Sequence, residues 1–136
     1  MIESRYLLDT NTASYIIKGN SAAVDRRLSR SSGRGIAISA VTEAELRFGA
    51  ARLPQVTRLH TLIEDFVLRV AVLPWDSAAA QQYGLLRASL ERDGTPMANL
   101  DLMIAAHALA LNLVLVTNDR AFARIKKLKI EDWTKP

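Results

Sequence analysis

The strongest constraint on this chain is its alternation of short apolar runs with longer amphipathic stretches. Tyr6-Leu7-Leu8, Ile36-Ala37-Ile38, Val70-Ala71-Val72-Leu73 and Leu113-Val114-Leu115-Val116 are apolar from end to end and only strand-long. Runs of that kind suit strands buried on both faces. A weaker fifth strand falls near Lys129-Ile130-Glu131. Helical periodicity fills the intervals near residues 11–18, 22–32, 40–52, 55–68, 77–93 and 101–111, with a short piece near 120–126. Gly94 is placed to end one helix in the left-handed conformation, and Pro54 and Pro74 punctuate others. This order predicts an α/β fold of three layers, α/β/α, around a mostly parallel sheet of four to five strands. With 136 residues, no low-complexity stretch, no long linker and no repeat, residues 1–136 are expected to form a single domain.

Composition narrows the chemistry. There is no Cys, which excludes disulfides and thiolate metal sites. The first residues carry no signal-peptide core, and no apolar run approaches the roughly 20 residues that cross a bilayer. A cytoplasmic protein without membrane contact is the expectation. Net charge is +4, with 13 Arg against 5 Lys. Guanidinium forks bind phosphate and carboxylate bidentately, so the balance suits a nucleic-acid partner, although a solvated basic surface is the plainer reading.

Four acids stand out by position. Parallel sheets keep their ligands beyond the carboxyl ends of the strands. Asp9 directly follows the first strand, and Asp119 follows the fourth through Thr117 and Asn118. In the helix over 40–52, positions 41, 45 and 48 share a face. Val41 and Phe48 mark that face as inward, and Glu45 is expected to point in with them. Glu43 and Arg47 make an ordinary surface pair. Asp101 opens a helix that is apolar on nearly every side. It is either an N-terminal residue held by the helix dipole or part of a site. If the four converge, mutual repulsion raises their apparent pKa values unless a cation compensates. Oxygen ligands without His or Cys favour Mg²⁺ or Mn²⁺ over zinc. The matching chemistry is hydrolysis of a phosphodiester by metal-activated water.

These residues resemble the PIN-domain nucleases, and among them the VapC-type toxins of bacterial type II toxin–antitoxin pairs. The resemblance runs nearly end to end. It is carried by Tyr6-Leu7-Leu8-Asp9-Thr10-Asn11, by Ile38 to Ala50 around Glu45, by Leu100 to Ala108 around Asp101, by Val116-Thr117-Asn118-Asp119 with Phe122, and by Glu131-Asp132-Trp133. It implies a Mg²⁺-dependent endoribonuclease, with Mn²⁺ able to substitute. Its catalytic acids are Asp9, Glu45, Asp101 and Asp119. Asp9 and Asp101 are the direct metal ligands, and Glu45 and Asp119 act directly or through water. Thr117 is implied to orient the cluster, with Asn118 and Asn11 as polar support. The resemblance also implies a homodimer, an RNA substrate such as the anticodon stem-loop of initiator tRNA, and an antitoxin that blocks the site in a hetero-oligomer. The alternative is a PIN-like module that has lost catalysis and binds RNA or protein.

Other features carry less. Arg26, Arg27, Arg30 and Arg34 form one basic cluster and Arg120, Arg124, Lys126, Lys127 and Lys129 a second. Either can follow an RNA backbone or lie on a solvated face. His107 reads as a packing or hydrogen-bonding residue, and Trp75 and Trp133 as core or rim. The helices over 40–52 and 55–68 carry more apolar positions than one face needs, which suggests a dimer seam or antitoxin groove. An aspartyl-phosphate phosphatase needs a second acid where Asn11 stands. A receiver domain needs a paired acid after the first strand and a late strand-end Lys. No glycine-rich phosphate loop is present.

Overall fold

The computed structural model describes residues 4–31 and 35–135. The elements run β1 (Tyr6–Leu8), α1 (Thr10–Lys18), α2 (Ala22–Ser31), β2 (Ile36–Ser39), α3 (Ala40–Ala51), α4 (Thr57–Arg69), β3 (Ala71–Leu73), α5 (Ser77–Arg92), α6 (Asn99–Leu111) and β4 (Val114–Val116). A short 3-10 helix (Arg120–Arg124) leads to β5 (Ile130–Glu131). Every expected element is present within a residue or two at each end, except that the end expected at residue 32 for the second helix lies outside the described residues. Arg34 of the first basic cluster lies outside the described residues.

The strands form one sheet in the order β3-β2-β1-β4-β5. All four pairings are parallel, with Leu8 beside Ile38 on one side and Val116 on the other. Successive side chains on a strand point to opposite faces, and the core divides accordingly. Leu7, Ala37 and Leu115 pack against α6, Leu90 of α5, Phe122 and Ile125. Leu8, Ile36, Ile38 and Val116 pack against Ala13 and Ile17 of α1, Val24 of α2, Leu46 of α3, Phe66 of α4 and Trp133. Both faces are therefore dry, which is why these strands are apolar without alternation.

Helix ends follow local chemistry. Asp9, Ser39, Asp76 and Asp119 each cap the helix that follows a strand, accepting from the backbone N–H of Thr12, Val41, Ala79 and Ala121. After α5, Gly94 takes a φ of +73°, and the Gly94 and Thr95 N–H groups close the last turn on Glu91 and Leu90.

The inward face assigned to α3 requires a correction. Val41 is buried and Glu45 half-buried, but Phe48 is 64% exposed. The buried face of α3 runs through Thr42, Leu46 and Ala50, so the stripe of 41, 45 and 48 lies at its edge and turns outward toward the end of the helix. Phe48 instead carries the Arg52 guanidinium over its ring, 5.1 Å from the centroid. Leu53, Val56 and Leu68 are exposed as well. Ile63 and Phe66 of α4 are core, so only part of the expected apolar excess reaches the surface.

Candidate active site

β1 and β4 are neighbours, but the chain leaves them toward opposite edges of the sheet, and such a switch point opens a crevice at the carboxyl ends. Asp9 stands at the end of β1 and is only 4% exposed. Its Oδ1 accepts from Thr12 N at 2.8 Å and its Oδ2 from the Thr117 hydroxyl at 2.5 Å. Buried Thr117 in turn accepts from Asp119 N at 3.0 Å. One hydroxyl thus ties the ends of both central strands together. Burial pushes the Asp9 carboxyl up from its ordinary pKa; the hydrogen bonds from Thr117 and Thr12 pull it back, and Asp119 adds a further push upward.

The other three acids reach the same crevice from separate segments. Asp119 is exposed, and its Oδ1 accepts from Ala121 N at 2.9 Å. Glu45, midway along α3, accepts through Oε1 from the Thr10 hydroxyl at 2.6 Å, and Thr42 Oγ1 lies 3.3 Å from that hydroxyl. Asp101 sits in the first turn of α6, yet the cap position is Ala98, which makes no side-chain bond. Asp101 is half-buried, and its pKa is raised by burial first and then by Asp119, Glu45 and Asp9. A residue that merely capped the helix would be hydrogen-bonded to its N–H groups; Asp101 instead feels the other three carboxylates.

Among the described residues, none of these four acids is paired with Lys or Arg; the ion pairs are Arg27–Glu131, Arg47–Glu43, Arg47–Glu64 and Arg87–Glu91. An unneutralised, all-oxygen donor set suits a hard divalent cation. The carboxylates face one another without closing on a point: no three His, Asp or Glu side chains among the described residues are placed to hold an ion together as they stand. A bound cation would have to draw them inward, a rotamer change that half-buried Asp101 and exposed Asp119 leave room for.

The supporting residues fare unequally. Asn118 donates to the Tyr15 hydroxyl at 3.1 Å rather than to an acid. Asn11 is exposed and lines a cleft of about 240 Å³ with Thr10 and Glu45. Thr10, which holds Glu45 across 35 residues of chain, was not singled out from the sequence; its only signal was its place beside Asp9. His107 is buried, with Nδ1 2.9 Å from Ser39 Oγ. Trp133 is core, and half-buried Trp75 donates to the Met103 carbonyl. Arg27 is engaged by Glu131 and lies over Trp133, so the first basic cluster is partly committed to the fold.

A family model described as PIN domain matches residues 6–128, and the chain belongs to that family. Its relatives place it more narrowly, in the VapC group. It is 41% identical over 131 residues to the tRNA(fMet)-specific endonuclease VapC of Shigella flexneri, covering 96% of this chain and 98% of the relative. The crystal structure of DNA-bound VapBC from Salmonella typhimurium superposes with a TM-score of 0.89 at 40% identity, covering 96% of this chain and 98% of that one. VapBC2 of Rickettsia felis, solved on a promoter DNA fragment, gives 0.87 at 33% identity, with 94% and 98% covered.

Proposed function

We propose that the chain, one domain over residues 1–136, is the toxin of a type II toxin–antitoxin pair and a metal-dependent endoribonuclease. The observation that carries this reading is the set of four unneutralised carboxylates, delivered from β1, α3, α6 and the end of β4 to one crevice. Asp9 and Asp101 hold Mg²⁺, or Mn²⁺ in its place, with Glu45 and Asp119 joining directly or through water. The cation supplies a Lewis acid for the attacking water and for the leaving oxygen of in-line phosphodiester hydrolysis. Thr117 fixes the Asp9 carboxylate, and Thr10 fixes Glu45 through Oε1, which leaves Oε2 to orient water. Asn118 and Asn11 give polar support at the rim.

The relatives named for tRNA(fMet) make initiator tRNA the first RNA to try. An apolar groove of about 380 Å³ between α1, α2 and α4, lined by Ile16, Leu62 and Phe66 with Arg69 at its edge, supports an antitoxin segment as partner. Exposed Phe48, Leu53, Val56 and Leu68 support a homodimer. Among the described residues no helix is long and apolar enough to cross a membrane, and a cytoplasmic location accompanies an RNA substrate. The test uses antitoxin-free protein and labelled total RNA in Mg²⁺, Mn²⁺ or EDTA, with Asp101→Asn alongside. Discrete fragments that need the cation and vanish in the variant support the reading. Intact RNA throughout would replace it with a binding module that does no chemistry.

A further inference from the structure

We infer that a groove between α5 and the segment after the 3-10 helix is a second RNA-binding surface. It takes unpaired nucleotides a short distance along the strand from the bond that is cut. The inference rests on the nuclease reading for the identity of the polymer.

The groove encloses about 310 Å³; Leu85, Leu86 and Ile125 give it an apolar floor, and Arg124, Lys126 and Lys127 line it. Leu85 is 69% exposed, so the floor is open to solvent. Among the described residues, none of Arg120, Arg124, Lys126, Lys127 and Lys129 is in an ion pair, although Arg27, Arg47 and Arg87 are. Asp93 is the single carboxylate on the lining. Three exposed cations outside any ion pair on the lining, with Arg120 and Lys129 in the same segment, and an apolar floor match the two halves of a nucleotide: phosphate for the charges and a base face for the leucines.

Continuity with the carboxylates favours RNA over an acidic polypeptide. The cationic segment begins at Asp119, which caps the 3-10 helix. Arg124 donates to the Pro96 carbonyl at 3.1 Å, in the loop that enters α6 and Asp101. The groove therefore shares both connecting segments with the acidic crevice. From Asp119 to Lys127 the chain can reach at most about 20 Å, counting about 2.0 Å per residue in the 3-10 helix and about 3.3 Å beyond it. That spans a few nucleotides.

The experiment measures fluorescence anisotropy of a labelled single-stranded RNA of about 20 nucleotides on the full chain, in EDTA so that it stays uncut. Lys126→Glu combined with Lys127→Glu is compared with Arg26→Glu combined with Arg30→Glu, which changes net charge equally. The groove variant is expected to weaken binding about tenfold or more and to flatten the log K against log salt slope by about 1.4, or about 0.7 per phosphate contact. The control variant is expected to do neither. Leu85→Glu, at an exposed position, supplies a second variant if the double lysine change disturbs folding, and is expected to weaken binding likewise. Equal weakening by the two charge variants, wild-type affinity in the groove variants, or no RNA binding at all would overturn the inference. Displacement by polyglutamate at lower charge concentration than by unlabelled RNA would overturn it in favour of an acidic protein segment. Cleavage in Mg²⁺ is scored separately. Groove-dependent binding without cleavage leaves the groove standing and removes the nuclease reading; cleavage with groove-independent binding does the reverse.

Discussion

Replacing Thr117 with Val isolates the hydroxyl that joins the two central strand ends. Val keeps the shape of the buried side chain and removes a donor to the Asp9 carboxylate and an acceptor for Asp119 N. A hydrogen bond to a charged group contributes about 1.5–3 kcal/mol and the partly buried backbone bond about 0.5–1, so the loss is about 2–4 kcal/mol. With a urea m-value of about 2 kcal/mol per molar, the unfolding midpoint at neutral pH falls by about 1–2 M. The effect is also pH-dependent with a fixed sign. The Thr117 bond favours ionised Asp9, so removing it raises a folded-state pKa that burial has already raised. The deficit therefore belongs to the ionised form, and it shrinks as pH falls through the raised folded-state pKa, below which the carboxyl is protonated in both proteins. Thr117→Ser restores both bonds and most of the stability. Urea titrations of the three proteins at neutral and acidic pH provide the measurement. A Val variant within about 0.5 kcal/mol of wild type, or a deficit that stays constant across that range, would refute the reasoning.

The remaining predictions follow from the same geometry. Asp101→Asn abolishes RNA cleavage yet raises the thermal midpoint of the metal-free protein by a few degrees, because it relieves repulsion from Asp119, Glu45 and Asp9; differential scanning fluorimetry in EDTA reads it, and a lower midpoint would contradict the crowding. Thr10→Val lowers cleavage about 10- to 100-fold while Thr10→Ser retains it, since only the hydroxyl holds Glu45; equal rates would show that Glu45 needs no support. Burial lowers the pKa of His107, against smaller upward pushes from Asp76 and the Pro74 backbone. Its contribution is intact above the unfolded value near 6.5 and is lost as pH falls through the lower folded value. His107→Asn is expected to flatten the stability curve below about pH 6.5, followed by thermal melts; an unchanged slope would assign acid sensitivity elsewhere.

The sheet was legible because both of its faces are buried. Strands covered on two sides must be continuously apolar, and β1, β2 and β4 are, so the carboxyl-end positions of Asp9 and Asp119 followed by counting. Glu45 was reached by a partly faulty route. Val41 does face inward, but Phe48 does not, because the buried face is centred on Thr42, Leu46 and Ala50, and two apolar residues at its edge are too few to fix its direction. Asp101 was ambiguous for a physical reason: a first-turn acid satisfies the helix dipole whether or not it serves a site. Only the three neighbouring carboxylates, brought from distant segments, separate the two roles. Thr10 was invisible as the support of Glu45 because no local pattern encodes a hydrogen bond formed across 35 residues.

The caps described at the strand ends divide the four acids into two kinds. Asp9 and Asp119 each hold a helix start as well as facing the crevice, whereas Asp101 makes no capping bond and Glu45 lies mid-helix. Replacing Asp9 by a residue with no capping oxygen forfeits the α1 cap, about 1 kcal/mol; losing the carboxylate of Asp101 relieves its burial and the repulsion of its neighbours. Drift under relaxed selection is therefore biased in order. Lineages that abandon the chemistry are expected to shed Asp101 early and to keep a capping residue at position 9 long afterward, so a surviving cap at the end of β1 is no sign of present activity.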